Sequence, residues 1–92
     1  MPRAQAAIRV SGRVQGVGFR YWTLQRATQL DLNGLVKNDP DGSVFILAEG
    51  ERSNIESLIE QLKHGPQTAA VADVSASWRE FENKYSDFKI TH

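Results

Sequence analysis

The 92-residue sequence contains no cysteine, which removes disulfides, thiolate nucleophiles and sulfur-ligated metal sites together. Histidine is almost as scarce. His64 and His92 stand far apart in no metal-ligand spacing, so neither a metal site nor a histidine-centred catalytic site is expected, and His92 is expected to be mobile. No apolar run approaches the roughly 20 residues of a membrane span, and Met1-Pro2-Arg3-Ala4-Gln5 does not open as a signal peptide. The expectation is a cytoplasmic chain with no membrane partner. An excess of one charge is also missing. Eleven Lys and Arg balance eleven Asp and Glu, and a pI near 6.7 disfavours a general binder of nucleic acid. Internal repeats, low-complexity tracts and linkers are absent as well.

What is present is ordinary for a globular chain: 40% hydrophobic and 24% charged residues. The length suits one domain, residues 1–92, with its own core. Ile8-Arg9-Val10-Ser11 alternates apolar and polar, the pattern of a half-buried strand. Three glycines between positions 12 and 18 form a loop. From 19 to about 30 no Gly or Pro intervenes, and Phe19, Thr23, Ala27 and Leu30 mark one helix face. A second strand is expected at about 34–38. Asp39-Pro40-Asp41-Gly42 is a turn, and a third strand follows at 43–49. Ser53 and Glu56 have capping-box spacing before the stripe Ile55, Leu58, Ile59 and Leu62, and Gly65-Pro66 stops that helix. Ala72, Val74, Ala76 and Trp78 alternate as a fourth strand, and Phe88 and Ile90 mark a short last one.

The order β-α-β-β-α-β predicts an α+β, ferredoxin-like fold: an antiparallel sheet of four or five strands with two helices on one face. Strands one and two, joined by a helix, run parallel, and strand three inserts between them. Their C-terminal ends then share one sheet edge, roughly 9–10 Å apart. The glycine loop and Arg20 follow strand one and Asn38 closes strand two, so the two should face each other across a gap.

Gln15-Gly16-Val17-Gly18-Phe19-Arg20 joins a strand to a helix. Glycines there let backbone N–H groups point into one concavity, and the helix N-terminus adds partial positive charge, so an anion is the natural guest. Arg20 sits badly with the helix dipole unless something negative is near, and its fork matches two phosphate oxygens. A tight turn with a surface arginine is the plain alternative. Asn38 is either a turn former or an amide whose carbonyl oxygen holds a water; it cannot be a base. Asp39 and Asp41 read as turn residues, Trp22 and Trp78 as packing, and residues 79–84 as a solvated connection. Phe45 and Leu47 belong to the face that no helix covers.

Gly12-Arg13-Val14-Gln15-Gly16-Val17-Gly18-Phe19-Arg20 closely resembles the first signature of the acylphosphatases. Gly34-Leu35-Val36-Lys37-Asn38, with Asp41-Gly42-Ser43-Val44 and Ala48-Glu49-Gly50, resembles the second. The similarity runs from Ile8 to Ile90, with two departures: Leu35 where many relatives have tryptophan, and Asp31 where the first helix often ends in glycine. The resemblance implies a free-standing, metal-independent hydrolase of acyl phosphates that needs no cofactor. It also implies that Arg20 and the backbone N–H groups of Gln15, Gly16, Val17, Gly18, Phe19 and Arg20 hold the phosphate while Asn38 orients the attacking water. A carboxylate leaving group departs without a general acid, because its parent acid has a pKa of about 4. The expected partner is a small acyl phosphate, and a monomer is the default state. The competing readings are a βαββαβ module that binds RNA and a phosphate sensor without turnover. RNA binding needs aromatic residues on the central strands, where only Phe45 stands.

Overall fold

A computed structural model describes residues 2–92, and these form β1 (Arg3–Arg13), α1 (Phe19–Gln29), β2 (Asn33–Asn38), β3 (Val44–Glu51), α2 (Arg52–His64), β4 (Ala70–Glu80) and β5 (Phe88–Ile90). The sheet order is β4-β1-β3-β2-β5. Because β3 pairs antiparallel with both β1 and β2, those two strands run the same way with β3 between them, as the split arrangement requires. The fold class is the expected α+β, ferredoxin-like one.

One pairing departs from an all-antiparallel sheet: β5 joins the outer edge of β2 in parallel. Chain length accounts for it. β4 finishes beside the start of β1, with Glu80 opposite Ala4. The segment 81–87 must cross from the β4 edge to the β2 edge, four strand spacings or roughly 19 Å. Seven residues reach roughly 25 Å when extended. Nothing remains to climb the length of a strand, so β5 starts at the end where β4 stops and runs with β2.

Both helices cover one face. Ile8 and Val10 of β1, Val36 of β2 and Val44 and Ile46 of β3 meet Phe19, Thr23 and Ala27 of α1 and Ile55, Leu58 and Leu62 of α2, all buried. Complete burial of each large aliphatic side chain contributes about 1.5–3 kcal/mol, which makes this stripe the main source of stability.

Element ends differ from expectation in ways that packing explains. β1 is longer than the four residues of clear alternation because, as a central strand, it pairs with β3 from Arg3 to Val10 and with β4 from Ala4 to Arg13. The capping box does not form. β3 continues to Glu51, held by its pairing with Arg3, so Glu51 is the N-cap, Ser53 lies inside α2, and the Arg52 N–H donates to the Pro2 carbonyl instead. In β4 a register shift at Ser11/Gly12 of β1 changes the phase of the alternation, so Val71 joins Val74 and Trp78 against the core while Ala72 is exposed; Ala76 keeps the phase of Val74 and Trp78 and is exposed as well. The first helix ends as a Schellman motif, with the Asp31 N–H donating to the Thr28 carbonyl and the Leu32 N–H to the Ala27 carbonyl. That motif needs a left-handed residue, and Asp31 supplies it at φ 55°.

Segment 81–87 is not the merely solvated connection that its charge suggests. Glu49 of β3, 1% exposed, accepts hydrogen bonds from the backbone N–H groups of Glu82 and Lys84, both at 2.9 Å, and from Gln5 Nε2 at 3.1 Å. Asn33 Nδ2 donates to the Tyr85 carbonyl at 3.2 Å. The connection is thereby strapped across the sheet face opposite the helices. On the same face Phe45 is half-buried beneath two cations, with the Arg9 guanidinium and the Lys37 ammonium 6.0 and 5.7 Å from its ring centre.

Candidate active site

The ends of β1, β2 and β5 and the start of α1 converge on a hollow of about 290 Å³. It is lined by Val14, Gly16, Gly18, Phe19, Arg20, Tyr21, Asn38, Ile90 and His92. The gap inferred between the glycine loop and the end of β2 is therefore present, and it has a third wall contributed by β5.

Local sequence explains the shape of the loop. Gly16 has φ 74° and Gly18, the N-cap of α1, has φ 78°; a side chain at either would meet open space, so only the left-handed backbone demands glycine there. Among the described residues, no backbone N–H from Gln15 to Arg20 donates to another backbone group. These are free donors at the start of a helix whose first turn holds no acidic residue.

Arg20, second residue of α1 and half-buried, forms no ion pair among the described residues. A guanidinium at the positive end of a helix with no counter-charge gives the hollow a strong preference for anions. Its side-chain partner is the His92 ring, with Nη1 3.3 Å from Nδ1. Across the hollow, Asn38 Oδ1 is buried and has no hydrogen-bond partner among the described residues. A buried amide oxygen without a donor is costly unless a solvent or substrate hydrogen reaches it.

The other loop residues face away from the hollow. Gln15 Nε2 donates to the carbonyls of Asp39 and Ser43, at 2.8 and 2.9 Å, and so ties the loop to the β2–β3 turn. Val17 packs against the core, and its carbonyl accepts from Thr68 Oγ1 at 2.8 Å. Gln15 and Val17 thus brace the loop with their side chains and offer the hollow only backbone. The turn is braced too. Arg9 Nη1 donates to Asp39 Oδ2 at 2.7 Å and to Ser43 Oγ at 2.9 Å. The Ser43 hydroxyl and N–H both donate to Asp41, and these bonds hold its carboxyl below the usual value. Both aspartates are engaged in the turn, as their Pro-Asp-Gly setting indicates, and Arg9 of β1 braces that turn.

His92 is the residue that sequence reading missed. It was expected in no catalytic or metal site, and it lines the hollow against Arg20. The signal was the short last strand: in its parallel register Val36 faces Ile90, and the Thr91 N–H donates to the Val36 carbonyl. Two residues further on, Asn38 and His92 stand level.

Comparison with known proteins agrees with this geometry. The family model described as Acylphosphatase matches residues 6–90. The acylphosphatase of Rhizobium etli is 48% identical over 84 residues, covering 91% of this chain and 89% of that protein. That of Salinibacter ruber is 44% identical over 86 residues, covering 94% and 90%. The crystal structure of acylphosphatase from Bacillus subtilis superposes with a TM-score of 0.93 at 40% identity, over 97% of this chain and 99% of that one. With two ordered signatures, a matching fold and near-complete coverage, the chain belongs to the acylphosphatase family.

Proposed function

We propose that the chain hydrolyses acyl phosphates in this hollow, with Arg20 and the loop N–H groups holding the phosphoryl group and Asn38 orienting the water. The observation that carries this reading is the pairing of an uncompensated guanidinium with a buried, partnerless amide oxygen across one small cavity. The guanidinium fork and the free N–H groups from Gln15 to Arg20 fit the phosphoryl oxygens. Asn38 Oδ1 accepts one hydrogen of a water and aims its oxygen at phosphorus, opposite the acyl oxygen. The P–O bond to the acyl group breaks as the new P–O bond forms, the carboxylate leaves with the bonding pair, and a phosphate oxygen takes the water's proton. Positioning and charge neutralisation then supply the catalysis, and no side-chain base is needed.

Release of phosphate from acetyl phosphate, measured with EDTA present, tests the reading. We expect EDTA-insensitive turnover by the wild type and losses on the order of 10²–10³ in rate for folded Asn38→Ala and Arg20→Ala, with weaker phosphate binding in the latter. Full activity in Asn38→Ala would remove the water-orienting role. A folded wild type that binds phosphate without turning over acetyl phosphate would leave a cradle and no enzyme.

A further inference from the structure

We propose that His92 is a positioning residue for Arg20: its bare Nδ1 accepts a hydrogen bond from the guanidinium and holds the fork ready for the phosphoryl group. The inference rests on the phosphate-binding reading of the hollow and adds a residue that neither signature contains. Three observations carry it. Arg20 Nη1 and His92 Nδ1 lie 3.3 Å apart. Both residues line the same hollow, whose other charged or titratable group is Tyr21. No carboxylate pairs with Arg20 among the described residues, so the imidazole occupies the orienting place that an acidic group would otherwise take.

The chemistry of the contact fixes its direction. A guanidinium has donors and no acceptor, so the ring must be the acceptor and carry its proton on Nε2. One N–H of the fork is engaged and the rest stays free for phosphate oxygens. A long arginine side chain loses much rotamer freedom on binding, and a partner that holds it beforehand lowers that cost. The carboxylate alternative would orient Arg20 as well but would cancel the charge that draws the anion. A neutral imidazole orients without neutralising.

Such a role belongs to phosphate affinity and not to the chemical step. Two variants separate the acceptor from the ring. His92→Phe keeps the bulk and removes the acceptor, whereas His92→Asn replaces Nδ1 with an amide oxygen that can accept. The His92 side chain is exposed and outside the core, so neither change should move the melting temperature. With the full chain, inorganic phosphate as the calorimetric probe and acetyl phosphate as substrate, His92→Phe should raise both the phosphate Kd and the KM by about 3–10-fold with kcat kept. His92→Asn should recover most of that loss. Wild-type affinity in His92→Phe, or equal weakness in both variants, would overturn the proposal, as would a fall in kcat at unchanged phosphate affinity. A wild type that binds no phosphate at all would overturn the site reading itself, a result distinct from these.

Discussion

Replacing Glu49 by glutamine tests whether one buried carboxylate holds the sheet-crossing strap. Burial pushes this carboxyl up, but the N–H donors of Glu82, Lys84, Gln5 and Tyr85 together outweigh that and leave it below the ordinary glutamate value. Glutamine keeps one acceptor oxygen and turns the other into an NH₂, which would face a backbone N–H, donor against donor. The change removes a charge-assisted bond, about 1.5–3 kcal/mol, and strands a buried donor, about 1–3 kcal/mol. Since such costs do not add in full, we expect about 3 kcal/mol, or a fall of roughly 12–24 °C in Tm for a chain of this size. The pH dependence has a definite sign. With its folded pKa depressed, Glu49 contributes stability that is complete above about 4.5 and is lost as the pH falls through the lower folded value. Glutamine does not titrate, so the gap between variant and wild type should narrow with acid. Urea unfolding of both proteins from about pH 7 to about pH 3 reads this directly. A gap that stays constant with pH, or a Glu49→Gln protein as stable as wild type at neutral pH, would refute the reasoning.

Two backbone predictions follow from glycine geometry. A Cβ at Gly34 would lie 1.8 Å from the Leu47 carbonyl oxygen, so Gly34→Ala must break β2–β3 pairing; circular dichroism should show a largely unfolded protein. Asp31 holds a left-handed conformation at φ 55° that glycine adopts without strain, so Asp31→Gly should stabilise by about 1 kcal/mol in the same urea assay.

Much of the fold was legible because its signals are local. The stripe Ile55, Leu58 and Leu62 can bury only as a helix, and Asp39-Pro40-Asp41-Gly42 can only turn. The inserted position of β3 followed from the usual split βαβ arrangement, once a helix between β1 and β2 made those strands parallel. Hidden from that reading were features fixed by distant partners. Ser53 has the chemistry of a cap, but pairing with Arg3 carries β3 as far as Glu51, which takes the cap and leaves Ser53 inside α2. Residues 79–84 look solvated by composition, because nothing nearby shows that Glu49, on another strand, gathers the N–H groups of Glu82 and Lys84. The site divides the same way. Arg20, Asn38 and the loop glycines lie within recognisable motifs, whereas His92 enters through a strand too short to declare its direction.

That last strand also bears on how the protein acquires activity. The hollow draws Gly16 from the first loop, Asn38 from the second strand and His92 from beyond β5. These pieces are far apart in sequence, and β5 reaches the sheet only after the chain has crossed every other strand. Contacts of such long range are slow to form, so a half-built sheet holds no site. Recovery of turnover during refolding should therefore trail recovery of helix, and the enzyme's own reaction becomes a clock for docking of the final strand.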